Sequence, residues 1–524
     1  MELERSCGVL LHITSLPGKY GIGTMGEEAR EFIDLLAANG ITWWQILPTG
    51  PVSESMGYSP YSSLSCFAGN ELFIDIDGLR ENKWFSYRLP QISITEQHFV
   101  NFDSAGAYKF QVLENGWDNF LSNASQEDYA VFNSFCLEYG PRWLDDYALY
   151  RALSDKYGTF SWLDWDKKII TRDPEAINAA EDELEDKILF WKFCQYIFHT
   201  QWDELKKYAE SKKIRIIGDI PIYMSMDSAD SWISANILEI DCETMKPEFI
   251  AGVPPDYFSK TGQLWGNPVY RWHDEHGNLN EETYAWWLKR IKHALTLTDI
   301  IRIDHFRGFE SFWSVKYGDE TAEDGEWVPG PGKILFDRLT SDIGELPIIA
   351  EDLGDITPGV KELRDSLDLP GMKILLFAFD HNNRNEYLPH NITDKHCVVY
   401  TGTHDNDTAN GWFYNPEMYE NDREYVMEYL AMKEWSDFHI RIIREAMVTI
   451  ADLVIIPAQD ILGYSREFRM NTPGTTEKNW IWKLTKGALN SDIMGRIGRM
   501  AHIFSRAQEK PEEEQPDTSA STDI

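Results

Sequence analysis

DIIRID, residues 299–304, holds three isoleucines around one arginine and closes on an acid. Six residues are too few for a stable helix, and β-branched side chains favour a strand. The lack of polar alternation implies burial on both faces. The same kind of text recurs in both directions. GVLLHI (8–13), ITWWQIL (41–47) and IRIIGDI (214–220) precede it; PIIAED (347–352), MKILLFAF (372–379), HCVVYTGTHD (396–405) and DLVIIPAQD (452–460) follow. Amphipathic stretches lie between them, among them GEEAREFIDLLAANG (26–40), KILFWKFCQYIFHTQWDELKKYAE (187–210) and EETYAWWLKRIKHAL (281–295). Eight buried strands alternating with helices predict an α/β fold, a (β/α)8 TIM barrel, in preference to an open doubly wound sheet.

The spacing is uneven, so large insertions must decorate the barrel. The reading is a single catalytic barrel over 1–506 with two inserted subdomains. One, at about 51–210, is mainly helical, with Trp/Tyr-rich text at 142–165 and an acidic run at 175–186. The other, at about 230–280, is a substrate loop region. Residues 507–524, AQEKPEEEQPDTSASTDI, read as a disordered acidic tail.

Composition narrows the partners. Lys and Arg number 49 against 86 Asp and Glu, a net charge of −37 that repels polyanions and excludes a nucleic-acid partner. Nowhere do about 18 apolar residues run together, so no membrane partner is expected. The six cysteines form no C-x-x-C pair and read as reduced, buried thiols. With a charged N-terminus that lacks a signal-peptide pattern, they predict a cytoplasmic protein. GIGTMG (21–26) matches a dinucleotide fingerprint, but His12 to Tyr20 separate it from its strand and 41–53 has no acid. It reads as a turn lining a pocket, and no cofactor is expected.

The chemistry lies where acids meet strands. Asp219, Asp304, Glu351 and Asp405 each close or follow an apolar run, which on a barrel places them at the C-terminal mouth. Any one of them could be a helix N-cap; four with basic or imidazole neighbours point to a site. A divalent metal would want more histidine than the lone His12 of the first strand. Arg302, two residues before Asp304 and on the same face, repels a cation and favours an ionised Asp304. No metal is expected. A carboxylate that attacks and an acid that protonates suit cleavage of a glycosidic bond. GYSPYS (57–62) and GVPPDYFSKTGQLWGNPVYRW (252–272) offer aromatic faces for sugar rings.

LLHITSLPGKYGIGTMG, SPYSS, IRIIGDIPIY, AGVPPDYFSKTGQLWGNP, RIDHFRGFE, AEDLGDITPGV, LPGMKILLFAFD, YTGTHDNDT, PAQDILG and RMNTPGT occur in this order over nearly the whole chain. Together they resemble the amylomaltases, the 4-α-glucanotransferases of glycoside hydrolase family 77. The resemblance implies Asp304 as nucleophile, Glu351 as general acid/base and Asp405 as the group that grips the hydroxyls of the distorted sugar. It implies Tyr61, Asp219, Arg302 and His404 around that sugar. His305, Tyr257, Phe258, Gln263, Trp265, Asn267 and Asn471 would shape neighbouring subsites. A retaining reaction expects the Asp304 and Glu351 carboxyls about 5–5.5 Å apart. Its partners would be maltooligosaccharides and other α-1,4-glucans, bound by a monomer or weak homo-oligomer. Tyr58, where the family commonly has a small acid, and the acidic tail depart from the pattern. An amylase-like hydrolase and a non-catalytic glucan binder are the alternatives.

Overall fold

The computed structural model describes residues 3–79, 98–255 and 259–508. Twelve named strands occur in chain order: β1 Ser6–Leu10, β2 Trp43–Gln45, β3 Arg215–Pro221, β4 Phe249–Val253, β5 Gln263–Pro268, β6 Ile300–Asp304, β7 Ser311–Lys316, β8 Glu326–Pro329, β9 Ile348–Ala350, β10 Gly371–Ile374, β11 Cys397–Tyr400 and β12 Leu453–Pro457. Eight of them form one parallel sheet in the order β10-β11-β12-β1-β2-β3-β6-β9. Each of the eight falls within an apolar run read from the sequence or within two residues of one. The sheet curls until its ends meet, where Ala350 N donates to Pro370 O at 3.0 Å. The fold is a (β/α)8 barrel. Val9, Ile216, Ile301, Ile303, Val399 and Ile455 are fully buried, as parallel strands covered on both faces require.

One connection departs from the repeat. Between β10 and β11 the chain makes short 3-10 turns at Leu375–Phe377 and Pro389–Asn391 and no α-helix. Its text, DHNNRNEYLPHN (380–391), is rich in turn formers and has no helical apolar period.

Residues 51–210 carry the helices Phe102–Asn123, Gln126–Tyr139, Asp145–Tyr157 and Pro174–Ser211. The last is 38 residues long, begins with Asp173 capping Ala176 N, and has Pro174 in its first turn. The acidic run 175–186 is its largely solvent-facing first part; Phe190, Phe193, Phe198, Trp202 and Leu205 in the remainder are buried. Buried Glu71 ties this region together, accepting from Tyr147 Oη at 2.6 Å and Gln195 Nε2 at 3.0 Å while pairing with Arg151 at 3.4 Å.

β4, β5, β7 and β8 form a separate antiparallel sheet in the order β5-β4-β7-β8. The excursion read at 230–280 therefore has a second half, 311–329, contributed after β6. SFWSVK alternates exposed and covered side chains on a small annex, so it lacks the continuous apolar run of a barrel strand. The GIGTMG turn is close-packed: a Cβ at Gly23 would lie 2.0 Å from Ile13 O, and one at Gly26 2.5 Å from the Asp75 carboxyl. The Asp75 carboxyl thus packs against Gly26, the residue that precedes the helix Glu27–Ala38. All six cysteines are unpaired; against the expectation of burial, Cys66 and Cys136 are part-buried and Cys242, in a polar turn, is exposed. Of the acidic tail, Ala507 and Gln508 are described, with Gln508 N bonded to Gly40 O at 2.9 Å; 509–524 lie outside the described residues. Among the described residues no helix is long and apolar enough to cross a membrane.

Candidate active site

Strand register builds the site. β3 pairs with β6 so that Asp219 lies beside Arg302, and β6 pairs with β9 so that Ile303 lies beside Ala350. The next residue in each case is a carboxylate, Asp304 at the end of β6 and Glu351 just past β9, so the two stand on neighbouring backbones. Both are at the C-terminal ends, at the mouth of the barrel.

Arg302 is the hub. Its Nη1 lies 2.8 Å from both carboxylate oxygens of Asp219 and 3.0 Å from Asp304 Oδ1. The side chains of Arg302 and Asp219 are 3% and 0% exposed, whereas Asp304 is 28% exposed and faces the opening. Burial works against the Arg302 charge, but Asp219 and Asp304 outweigh it and raise the guanidinium pKa well above its ordinary value. Burial and, less strongly, Asp304 push Asp219 up to about 6, while Arg302 opposes them.

From Asp219 the contacts run around the mouth. Tyr61 Oη donates to Asp219 Oδ2 at 2.8 Å and its ring stacks on His404 at 4.9 Å. His404 Nε2 lies 3.2 Å from Asp405 Oδ2, and Asn471 Nδ2 donates to Asp405 Oδ1 at 2.6 Å. Burial would raise the Asp405 pKa; the His404 ring, Asn471 and Arg302 together hold it well below the usual carboxylate range. Asp405 is thus a fixed negative charge.

The opposite wall differs. Glu351 Oε2 accepts from His305 N at 2.7 Å and Oε1 from Leu353 N at 2.9 Å. His305 has φ +54°, a left-handed conformation uncommon for a side-chain-bearing residue, and this turn aims its N–H at the carboxyl. Even so, burial first and the neighbouring Asp304 second push Glu351 up to about 8, against Arg302 and those two N–H groups. The His305 ring is kept neutral by burial and by Arg307, with its pKa lowered to about 3, and it meets Trp265 edge-on at 4.8 Å. Trp265, 37% exposed, is also approached by Gln263, whose Oε1 lies 3.4 Å from the indole nitrogen. Asn267 Nδ2 donates to Met224 O at 2.8 Å, which ties β5 to the segment after β3. Tyr257 and Phe258 lie outside the described residues. Among the described residues no group of three or more His, Cys, Asp or Glu is arranged to hold a metal ion.

A pair of neighbouring carboxyls with unlike environments, set beside a buried guanidinium and exposed aromatic rings, can do acid/base and nucleophilic work on a sugar. The family model described as 4-alpha-glucanotransferase matches residues 11–489. The chain belongs to this family. Among its relatives are the 4-alpha-glucanotransferases of Clostridium butyricum, 44% identical over 95% of this chain and 100% of that one, and of Synechocystis, 45% identical over 96% and 99%. An amylomaltase from Streptococcus agalactiae, solved in complex with acarbose, superimposes with a TM-score of 0.90 at 37% identity, covering 96% of this chain and 100% of that one.

Several residues in this 4-alpha-glucanotransferase-family mouth were not singled out from the sequence. Trp480 contacts both Tyr61 and His404, at 5.6 and 5.8 Å between ring centres. Tyr223 packs beside the Trp265–His305 pair, 6.2 and 6.5 Å from the two rings. Arg469 donates to the main-chain oxygens of Asp405 and Asn471, fastening the two loops that meet there. Of these, only Tyr223, two residues beyond the end of β3, stood where strand-end reasoning could have found it.

Proposed function

We propose that this protein is a 4-α-glucanotransferase that moves a segment of an α-1,4-glucan to the 4-hydroxyl of an acceptor glucan or glucose, with retention. The observation that carries the reading is the unlike pair at the ends of β6 and β9. Arg302 sits on Asp304, while burial and the neighbouring Asp304 push Glu351 towards neutrality. Membership of the 4-alpha-glucanotransferase family over 11–489 supports the substrate class.

In the first step the Asp304 carboxylate attacks the anomeric carbon as protonated Glu351 donates to the departing 4-oxygen. The C1–O4 bond breaks, a fragment with a free 4-hydroxyl leaves, and a glycosyl ester remains on Asp304. Glu351, now a carboxylate, takes the proton from the acceptor 4-hydroxyl, whose oxygen displaces Asp304. One α-1,4 bond replaces another, so no external energy source is required. Asp405, held ionised by His404 and Asn471, would accept hydrogen bonds from the sugar being cleaved. Arg302, Asp219, Tyr61 and His404 would form the floor beneath that sugar. Trp265 with His305 would receive the acceptor, and Tyr257 and Phe258 are proposed for the same role.

Six unpaired thiols favour a reducing, cytoplasmic setting, and the charge of −37 favours a monomer or at most a weak homo-oligomer through self-repulsion. Incubation with maltotriose is the decisive experiment. Glucose plus a ladder of longer maltooligosaccharides is expected; shorter sugars alone would make the enzyme a hydrolase, and no change would make it a binder.

A further inference from the structure

The barrel is closed by main-chain ladders everywhere except between β9 and β10, which stand at the two ends of the sheet order. There the main-chain link is the bond from Ala350 N to Pro370 O, 3.0 Å. Glu351 is the next residue. Its own main chain is tied on the β6 side alone: Glu351 N donates to Ile303 O at 3.1 Å and Phe306 N donates to Glu351 O at 3.1 Å. On the β10 side a side chain takes the place of the missing ladder. Asp352 Oδ1 accepts from Met372 N at 2.7 Å, and Asp352 Oδ2 accepts from Arg364 Nη1. Arg364 comes from the helix Pro358–Ser366 and is held in turn by Asp365, 2.8 Å from its Nε. The Asp352 side chain is 4% exposed, so this bond lies in a dry seam. The backbone makes room for it: a Cβ on Gly371 would stand 2.5 Å from Asp352 Oδ2 and 2.7 Å from Arg364 Nη1.

We propose that Asp352, clamped between Met372 N and Arg364, is a positioning residue that substitutes for the absent β9–β10 ladder and thereby sets the aim of the Glu351 carboxyl. The inference rests on the acid/base reading of Glu351. The coupling is short in covalent terms. Glu351 precedes Asp352, and Leu353, which follows it, supplies the N–H that cradles Glu351 Oε1 at 2.9 Å. Releasing Asp352 from β10 therefore shifts the donor and the carboxyl together, while Asp304 stays on its own strand with Arg302.

The test compares two donors. Maltotriose needs a proton delivered to its leaving oxygen; α-maltotriosyl fluoride loses fluoride with little need of an acid. For Asp352→Ala, first-turnover cleavage of maltotriose should fall about 10²-fold, the cost of roughly 1 Å of misplacement, with KM little changed. The first-turnover burst of fluoride, which precedes the step in which Glu351 acts as base, should stay close to that of the unmodified protein. Asp352→Asn, which still accepts from Met372 N, should recover most of the loss, and Gly371→Ala should reproduce it. Thermal unfolding checks that each variant is folded at the assay temperature. Equal losses on both donors, or an unaltered Asp352→Ala, would overturn the proposal. Glu351→Ala run alongside separates the two readings. If it too is not rescued by the fluoride, the acid/base assignment fails; if it is rescued and Asp352→Ala is not, only the clamp fails.

Discussion

The two walls of the barrel mouth use opposite electrostatics. On one, Asp219, Arg302, Asp304, Tyr61, His404 and Asp405 form a continuous chain of ion pairs, hydrogen bonds and a ring stack, with Asp219, Arg302 and His404 buried. On the other, Glu351 is raised towards neutrality and its neighbours are a neutral His305 and a part-exposed Trp265. The first wall keeps its charges fixed and can hold a sugar in one pose. The second keeps one proton mobile beside a surface that a second sugar can approach. Transfer needs both, because the group that releases one fragment must receive the next.

The sharpest way to break the comparison is to remove the attacking carboxylate. Asp304→Ala should lower kcat by about 10⁴-fold, the scale for deleting one member of a catalytic unit, measured by glucose release from maltotriose. Glu351→Gln should cost about 10²–10⁴-fold on the same substrate, the range for general acid/base catalysis. It should also erase the alkaline limb of the kcat/KM profile. With its pKa raised to about 8, Glu351 is the protonated donor at neutral pH, and kcat/KM should fall as pH rises through that value. A profile flat to pH 10 would refute the assignment. Arg302→Met tests the fixed wall. It leaves Asp219 buried without its partner and should cost about 3–5 kcal/mol in urea unfolding as well as activity. The smallest effect belongs to the open wall, where Trp265→Ala should remove about 1 kcal/mol of acceptor binding, some five-fold in acceptor KM, with first-turnover donor cleavage unchanged.

What was legible in the sequence was whatever strand periodicity encodes. An apolar run ending in an acid fixes both a barrel strand and the end of the molecule its acid faces, so Asp219, Asp304, Glu351 and Asp405 could be placed before any coordinates. Arg302 followed from the two-residue period. Trp480 was not legible, because it reaches the mouth through the irregular 464–482 segment, where spacing predicts nothing; Arg469 opens the RMNTPGT motif beside Asn471 but gives no spacing signal for its main-chain contacts. The strands 311–316 and 326–329 were missed for a related reason: half-exposed annex strands alternate weakly and lack the continuous apolar run of the barrel. The helix-free connection 375–396 shows the limit of the repeat itself, since eight strands do not oblige eight helices.

That annex sheet also constrains anyone who would redesign the protein. β4 and β5 come from one βα connection and β7 and β8 from the next, and Phe249 through Gly252 pair with Lys316 through Trp313 across the join. A graft that imported either segment from another barrel without its mate would leave a row of unmet amides at the rim. The two connections form a single transplantable module, to be exchanged together or left alone.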